Sequence, residues 1–259
     1  MAIGTPYLMP PAHGATFPER EGVRPYADQL AVLEVMRQTQ GTRGGALPEQ
    51  VTQPFAEAFR VPYGLPELDP WSRQRRERLR GLWEPVAPAP PPDDPRLFAY
   101  LSPRAPGFAA AAAGLAGCGV GGEAYIPDCP PGLEPALAAG GIALTREPPP
   151  LARAIGRASL VFHHGGIDTA QTALVLGRPH VLLPRYLDQR LTGEALAALG
   201  TGVLLNRAQP DEAIAAALAR AARDAGLAER ARLRAVLIGR RGIGDALAAT
   251  VEAARALLR

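Results

Sequence analysis

A chain of 259 residues, 47% hydrophobic and 20% charged, is long enough to bury a full core and too apolar to remain disordered. Its net charge of +3 does not demand a nucleic-acid partner, and all of its 28 Lys-plus-Arg positions are arginine, which excludes a P-loop lysine, a Schiff base and a lysine general base. Cys118 and Cys129 have neither CxxC nor metal-ligand spacing and fit a reducing compartment, so a cytoplasmic location is expected. The opening MAIGTPYLMPP has no basic-then-apolar leader pattern, and no apolar run is long enough to cross a membrane.

The elements begin irregularly. Residues 1–83 are rich in Pro and Gly and carry two expected helices, Tyr26–Gln38 and Gln50–Phe59. The arginine run Arg73, Arg75, Arg76, Arg78 and Arg80, with Glu77 interspersed, reads as a solvated helix and not as a nucleic-acid or membrane patch. Residues 84–95, EPVAPAPPPDDP, read as an extended interdomain linker. From residue 96 strand and helix alternate. Strands are expected at Leu97–Leu101, Glu123–Ile126, Ile142–Leu144, Leu160–Phe162, His180–Leu183 and Val203–Leu205. Helices are expected at Gly107–Leu115, Leu133–Ala139, Pro150–Ala154, Thr169–Leu176, Thr192–Leu199, Asp211–Arg223, Leu227–Leu237 and Asp245–Leu258. This order predicts an α/β fold: a Rossmann-like parallel sheet with helices on both faces, spanning residues 96–259. In such sheets ligands bind at the carboxyl ends of the strands.

Residues 161–205 carry the chemistry. A strand ends at Phe162, and Gly165-Gly166 lets the backbone turn and approach a ligand with no Cβ in the way. A helix then opens near Thr169, and its free N–H groups and dipole favour an anion. His164 is expected to donate a hydrogen bond to that anion. The residues alone therefore give a phosphate or diphosphate site at a strand-to-helix turn. His163 and His164 are adjacent on a strand and point to opposite faces, so they cannot chelate one metal together, and no D-x-D motif exists to hold one elsewhere.

The same stretch resembles the donor-binding signature of GT-B nucleotide-sugar glycosyltransferases, in particular bacterial UDP-glucuronosyl/UDP-glucosyltransferase-like enzymes of lipids and natural products. The anchors are His164, Gly165, Gly166, Thr169, Gly177, Pro179, Pro184, Asp188 and Gln189, and their spacing needs no gaps. Asp168 stands where relatives place Asn, Ser or Gly, and Thr172 where many place Glu. The resemblance implies a donor-binding half whose diphosphate contacts come from His164, Gly165, Gly166, Asp168 and Thr169, with His164 the candidate catalytic residue. Ser102 and Arg104 follow the first strand of this half, where relatives often place a Ser or Thr near the phosphates. Asp188 and Gln189 are implied sugar contacts, since a carboxylate and an amide suit vicinal hydroxyls. Arg146 and Pro148 stand where relatives rest the nucleobase on a Trp-x-Pro-Gln loop, and a guanidinium can stack on a base in place of the Trp.

The implied partners are a UDP- or dTDP-sugar donor and a lipid or natural-product hydroxyl acceptor, with no cofactor and no metal. GTPYLMPPAHGATFP and GLPELDPW resemble the last part of an acceptor domain, so residues 1–83 are expected to be its remnant, with much of that domain absent. Two other arrangements fit the same residues. One is a non-catalytic nucleotide-sugar-binding module or remnant, suggested by Asp168, Thr172 and the missing Trp. The other is the donor subunit of a two-chain enzyme, in which a partner chain supplies the acceptor half. A further motif, Gly117-x-Gly119-x-x-Gly122, follows an Ala-rich helix and precedes a strand, so it reads as a helix-terminating turn and not as a dinucleotide fingerprint.

Overall fold

The structure is a computed structural model that describes residues 1–19, 28–56, 58–87 and 89–258. It divides into two compact units, Met1–Glu84 with Gly244–Arg259, and Pro85–Ile243.

The first unit starts with β1 (Ala2–Gly4), α1 (Gln29–Thr42), α2 (Gln53–Ala56) and β2 (Arg60–Pro62). β1 and β2 pair in parallel. Asp28 caps α1 by accepting from Leu30 N–H at 2.8 Å. The expected helix from Tyr26 thus starts later and runs further; Tyr26 itself lies outside the described residues, as does Glu57 of the second expected helix. The arginine run forms turns and no helix. Its Arg75 side chain is 3% exposed and pairs with Asp69 (2.6 Å, 2% exposed) and Glu77 (3.0 Å). Arg75 also donates to the carbonyls of Pro6 and Met9, and Arg60 joins through Glu77 at 2.6 Å and Pro10 O at 2.6 Å. Sequence periodicity could not show this, because an arginine is buried only when distant carbonyls and carboxylates meet its fixed fork of donors.

The second unit alternates throughout. In chain order it holds β3 (Leu97–Tyr100), α3 (Phe108–Gly117), β4 (Gly122–Tyr125), α4 (Leu133–Ala139), β5 (Ile142–Thr145), α5 (Leu151–Gly156) and β6 (Leu160–His163). Then come α6 (Ile167–Val175), β7 (His180–Leu182), α7 (Leu187–Ala198), β8 (Gly202–Leu204), α8 (Asp211–Arg223) and α9 (Ala225–Arg241). The six strands are all parallel, in the order β5-β4-β3-β6-β7-β8. The central strand Leu160–His163 is buried on both faces, which is why Leu160, Val161 and Phe162 read as a continuous apolar run. α3 packs against α4 and α8, while α6 packs against α5, α7 and α9. The Ala-rich α3 comes close to α8: a Cβ on Gly114 would lie 2.8 Å from Asp211 O. The Gly117–Gly122 stretch is indeed a helix end leading into β4.

The Pro-rich segment is not a free linker. Arg178, 1% exposed, donates to the carbonyls of Ala89 (3.0 Å), Pro90 (2.9 Å), Gly156 (3.0 Å) and Leu176 (2.7 Å). This draws residues 89–90 onto the second unit. The last helix, α10 (Ala246–Leu257), groups with the first unit and not with the sheet domain to which the sequence assigns it. Asp245 caps it, Ala246 N–H donates to Leu82 O at 2.9 Å, and the helix packs on β2.

Candidate donor site

The strand order reverses between β3 and β6. β4 and β5 extend the sheet on one side of this pair, and β7 and β8 on the other. Such a switch point opens a crevice at the carboxyl ends of the two strands. Ser102 follows β3 there, and His164 follows β6. Tyr100 is in register with His163, which fixes their common level.

Gly165 makes the turn with φ +95°, a conformation that disfavours any side chain, and a Cβ there would lie 2.6 Å from Gln189 O. α6 starts at Ile167, two residues before the expected start, because Gly166 already serves as its N-cap. The first intrahelical bond runs from Ala170 N–H to Gly166 O, so the N–H groups at the head of the helix face the crevice end without intrahelical partners. Thr169 is 6% exposed in the first turn, and Asp168 is exposed there and accepts from Gln171 Nε2 at 3.0 Å. A carboxylate at this end of its own helix is favourable to the helix.

His164 differs from expectation. Its Nε2 accepts Ser102 N–H at 2.9 Å, and its Nδ1 is 2.7 Å from Leu183 O, which requires a proton on Nδ1. Both ring nitrogens are therefore committed within the fold, and the ring is neutral. Burial lowers its pKa, opposed by the Leu183 carbonyl and assisted by the Arg185 charge. The ring ties the ends of β3, β6 and β7 together in place of donating to an anion. The reason is long-range: Ser102 and Leu183 are brought to it by the sheet.

His163 points the other way, as strand alternation requires. Gly165 N–H donates to its Nδ1 at 3.1 Å, so its proton is on Nε2, which faces His180 Nδ1 at 3.1 Å. His180 then carries its proton on Nε2, which is buried without a partner. Burial keeps both rings neutral; it lowers His163 well below the usual value, with the neighbouring His180 and His164 imidazoles opposing a proton there as well, and takes His180 down to about 3. Among the described residues no three His, Cys, Asp or Glu side chains gather to hold a metal ion.

Asp188 and Gln189 are not in a loop. They form the first turn of α7, which begins at Leu187, five residues before the expected Thr192. Gln189 Oε1 accepts Arg185 N–H at 2.9 Å, a side chain reaching back over the helix start as in a capping box. That leaves the Gln189 amide N–H₂ and the half-buried Asp188 carboxylate at the crevice edge. The Arg104 side chain stays outside, 83% exposed and 3.5 Å from Asp128; only its carbonyl takes part in the site. Arg146 and Pro148 are exposed after β5, and Arg146 pairs with Glu134 at 2.6 Å. β5 lies two strands from β3, about 10 Å away, on the same carboxyl edge.

Sequence reasoning missed Arg185. It follows Pro184 at the end of β7, donates to Ser102 Oγ at 2.9 Å and Tyr186 Oη at 3.1 Å, and lies 4.9 Å over the Tyr186 ring. An arginine between two motif anchors in a chain without lysine was the available signal.

Residues 146–238 match the model of the erythromycin biosynthesis protein CIII-like C-terminal domain. Elloramycin glycosyltransferase ElmGT of Streptomyces olivaceus is 36% identical over 115 residues, 39% of this chain and 30% of that protein. The solved calicheamicin glycosyltransferase CalG4 superposes with a TM-score of 0.65 at 23% identity, covering 92% of this chain and 62% of that one. Glycosyltransferase VinC, solved in complex with dTDP, superposes with a TM-score of 0.61 at 15% identity, covering 86% of this chain and 57% of that one. Residues 146–238 thus resemble the C-terminal domain of such glycosyltransferases, and the chain shares its fold with the solved ones. It spans less than two thirds of the length of the relatives it matches. The matched residues 146–238 lie in the second unit, and no helix among the described residues is long and apolar enough to cross a membrane.

Proposed function

We propose that the second unit binds the nucleotide-sugar donor of a cytoplasmic, metal-independent glycosyltransferase that moves a hexose from a UDP- or dTDP-sugar to a hydroxyl of a lipid or natural product. The observation that carries this reading is the head of α6, opened by the Gly165 turn at the β3/β6 switch point. Helix N–H groups there can take the diphosphate oxygens without a metal. The solved relative in complex with dTDP supports a nucleoside diphosphate as the ligand.

In the reaction the acceptor oxygen bonds to the anomeric carbon, and the bond from that carbon to the diphosphate oxygen breaks with its electron pair. The acceptor proton goes to a base on the acceptor side, which this unit does not supply. Gly165, Gly166 and Thr169 cradle the diphosphate, with Ser102 beside them. His164 positions Ser102 and the end of β7. Asp188 and the Gln189 amide meet the sugar hydroxyls, and Arg146 with Pro148 borders the base. A second reading, donor binding without transfer, is favoured by the exposed Asp168 carboxylate at the phosphate end of α6. A separate chain supplying the acceptor half would restore transfer.

Calorimetric titration with UDP and dTDP, with and without EDTA, tests the donor reading. Binding of either at equal strength under both conditions is expected. No binding of either, or binding lost to chelator, rejects it. Release of sugar to a hydroxyl acceptor, assayed with and without a separate acceptor-domain chain, separates transfer from binding alone.

A further inference from the structure

We infer that Arg185 is the cationic anchor of the diphosphate in this site, in the place that the signature histidine is expected to fill. The inference rests on the donor reading above.

The guanidinium is held at the crevice by neutral acceptors only. Ser102 Oγ is 2.9 Å away, Tyr186 Oη 3.1 Å and Arg104 O 3.4 Å, and the Tyr186 ring lies beneath it. Among the described residues no carboxylate lies within ion-pair distance of it: Asp128 is taken by Arg104, and Glu194 by Arg190. Its Nε is buried and has no partner. A positive charge fixed in position and left unneutralised is a preorganised anion receptor, and arginine's planar fork matches phosphate oxygens.

The neighbours make this charge necessary. His164 is neutral and spends both nitrogens on Ser102 and Leu183. The helix terminus supplies only about half a charge. The chain has no lysine. Ser102 links the parts: its N–H holds His164, its oxygen accepts from Arg185, and its hydroxyl proton remains for a ligand oxygen. Arg185 N–H in turn orients Gln189, so one residue ties the phosphate and sugar ends of the site.

The test compares native chain, Arg185→Gln and Arg185→Lys by calorimetry with UDP, dTDP, uridine and thymidine. Arg185→Gln should weaken the diphosphate by roughly 10- to 100-fold and leave the nucleoside unchanged. Arg185→Lys keeps the charge but loses the fork, and should fall between the two. NMR titration of His164 supplies a second readout: in Arg185→Gln its midpoint should move up, because a neighbouring positive charge has gone. Equal losses for nucleoside and diphosphate, or an unmoved His164 midpoint, would make Arg185 a structural residue. A native-like diphosphate affinity in Arg185→Gln overturns the inference while the donor reading stands. Failure of the native chain to bind any nucleoside diphosphate removes both. Should Arg185→Gln not fold, Arg185→Lys decides: undiminished diphosphate affinity with lysine would refute the role of the fork.

Discussion

At the scale of single residues, the buried histidines set the behaviour of the site. Three of the chain's four histidines, His163, His164 and His180, are buried, and all three have lowered pKa values with burial as the leading cause. The unfolded chain takes up their protons as pH falls below the usual histidine value of 6.5, while the folded chain resists. Their contribution to stability is therefore fully present above 6.5 and is lost progressively as pH falls toward the folded values. Urea midpoints should drop between pH 7.5 and pH 5; equal midpoints would rule this out. His164→Ala leaves Ser102 N–H and Leu183 O without their partner, which should cost about 1–3 kcal/mol for each group left buried and unpaired. Urea unfolding measures it. Nucleotide affinity should also fall in this variant, through loss of the Ser102 position and not through a lost contact. The residue pattern HHGG made the site legible in the sequence, but not which nitrogen would be free. That depends on Ser102 and Leu183, 62 and 19 positions away along the chain.

At the scale of elements, the turn into α6 is the part most sensitive to substitution. Gly165→Ala adds a Cβ at φ +95° and 2.6 Å from Gln189 O, so either the turn or the first turn of α7 must move. A loss of about 1–3 kcal/mol is expected from the backbone conformation alone, with loss of UDP and dTDP binding. Thermal unfolding and calorimetry on the same sample check both, and a native-like variant would contradict the close packing. In the first unit, the Arg75–Asp69 pair is the corresponding feature. Arg75→Ala strands a buried carboxylate and should cost about 3–5 kcal/mol, read from the urea transition of this unit. Helix starts were the least legible elements. α6 and α7 begin earlier than expected because Gly166 and Tyr186 act as caps without a side-chain hydrogen bond, which leaves no cap residue for sequence to reveal.

At the scale of the whole molecule, two cores share one chain that leaves the first unit at Glu84 and returns to it at Gly244. Leu82, 1% exposed, takes Ala246 N–H on its carbonyl and anchors the returning segment. Leu82→Ala should cost about 2–5 kcal/mol. Hydrogen exchange should rise in β1, β2 and α10, while nucleotide binding by the second unit persists. Exchange rising equally in β3 and β6 would show that the two cores do not fold as separate units.

The sequence by itself determined the alternation of β3 to α9, the apolar strands that require two covered faces, and the glycine turn that opens α6. These are local: they follow from periodicity, propensity and the φ that only glycine accepts freely. The tertiary structure decided what lies far apart in the chain. It set the strand order that puts Ser102 beside His164, the partners that use up the histidine's nitrogens, and the guanidinium of Arg185 left without a counter-charge among the described residues. It also returned α10 to the first unit. Hydrogen-bond satisfaction and charge pairing are settled between segments that only the folded sheet brings together, so no window of sequence contains them.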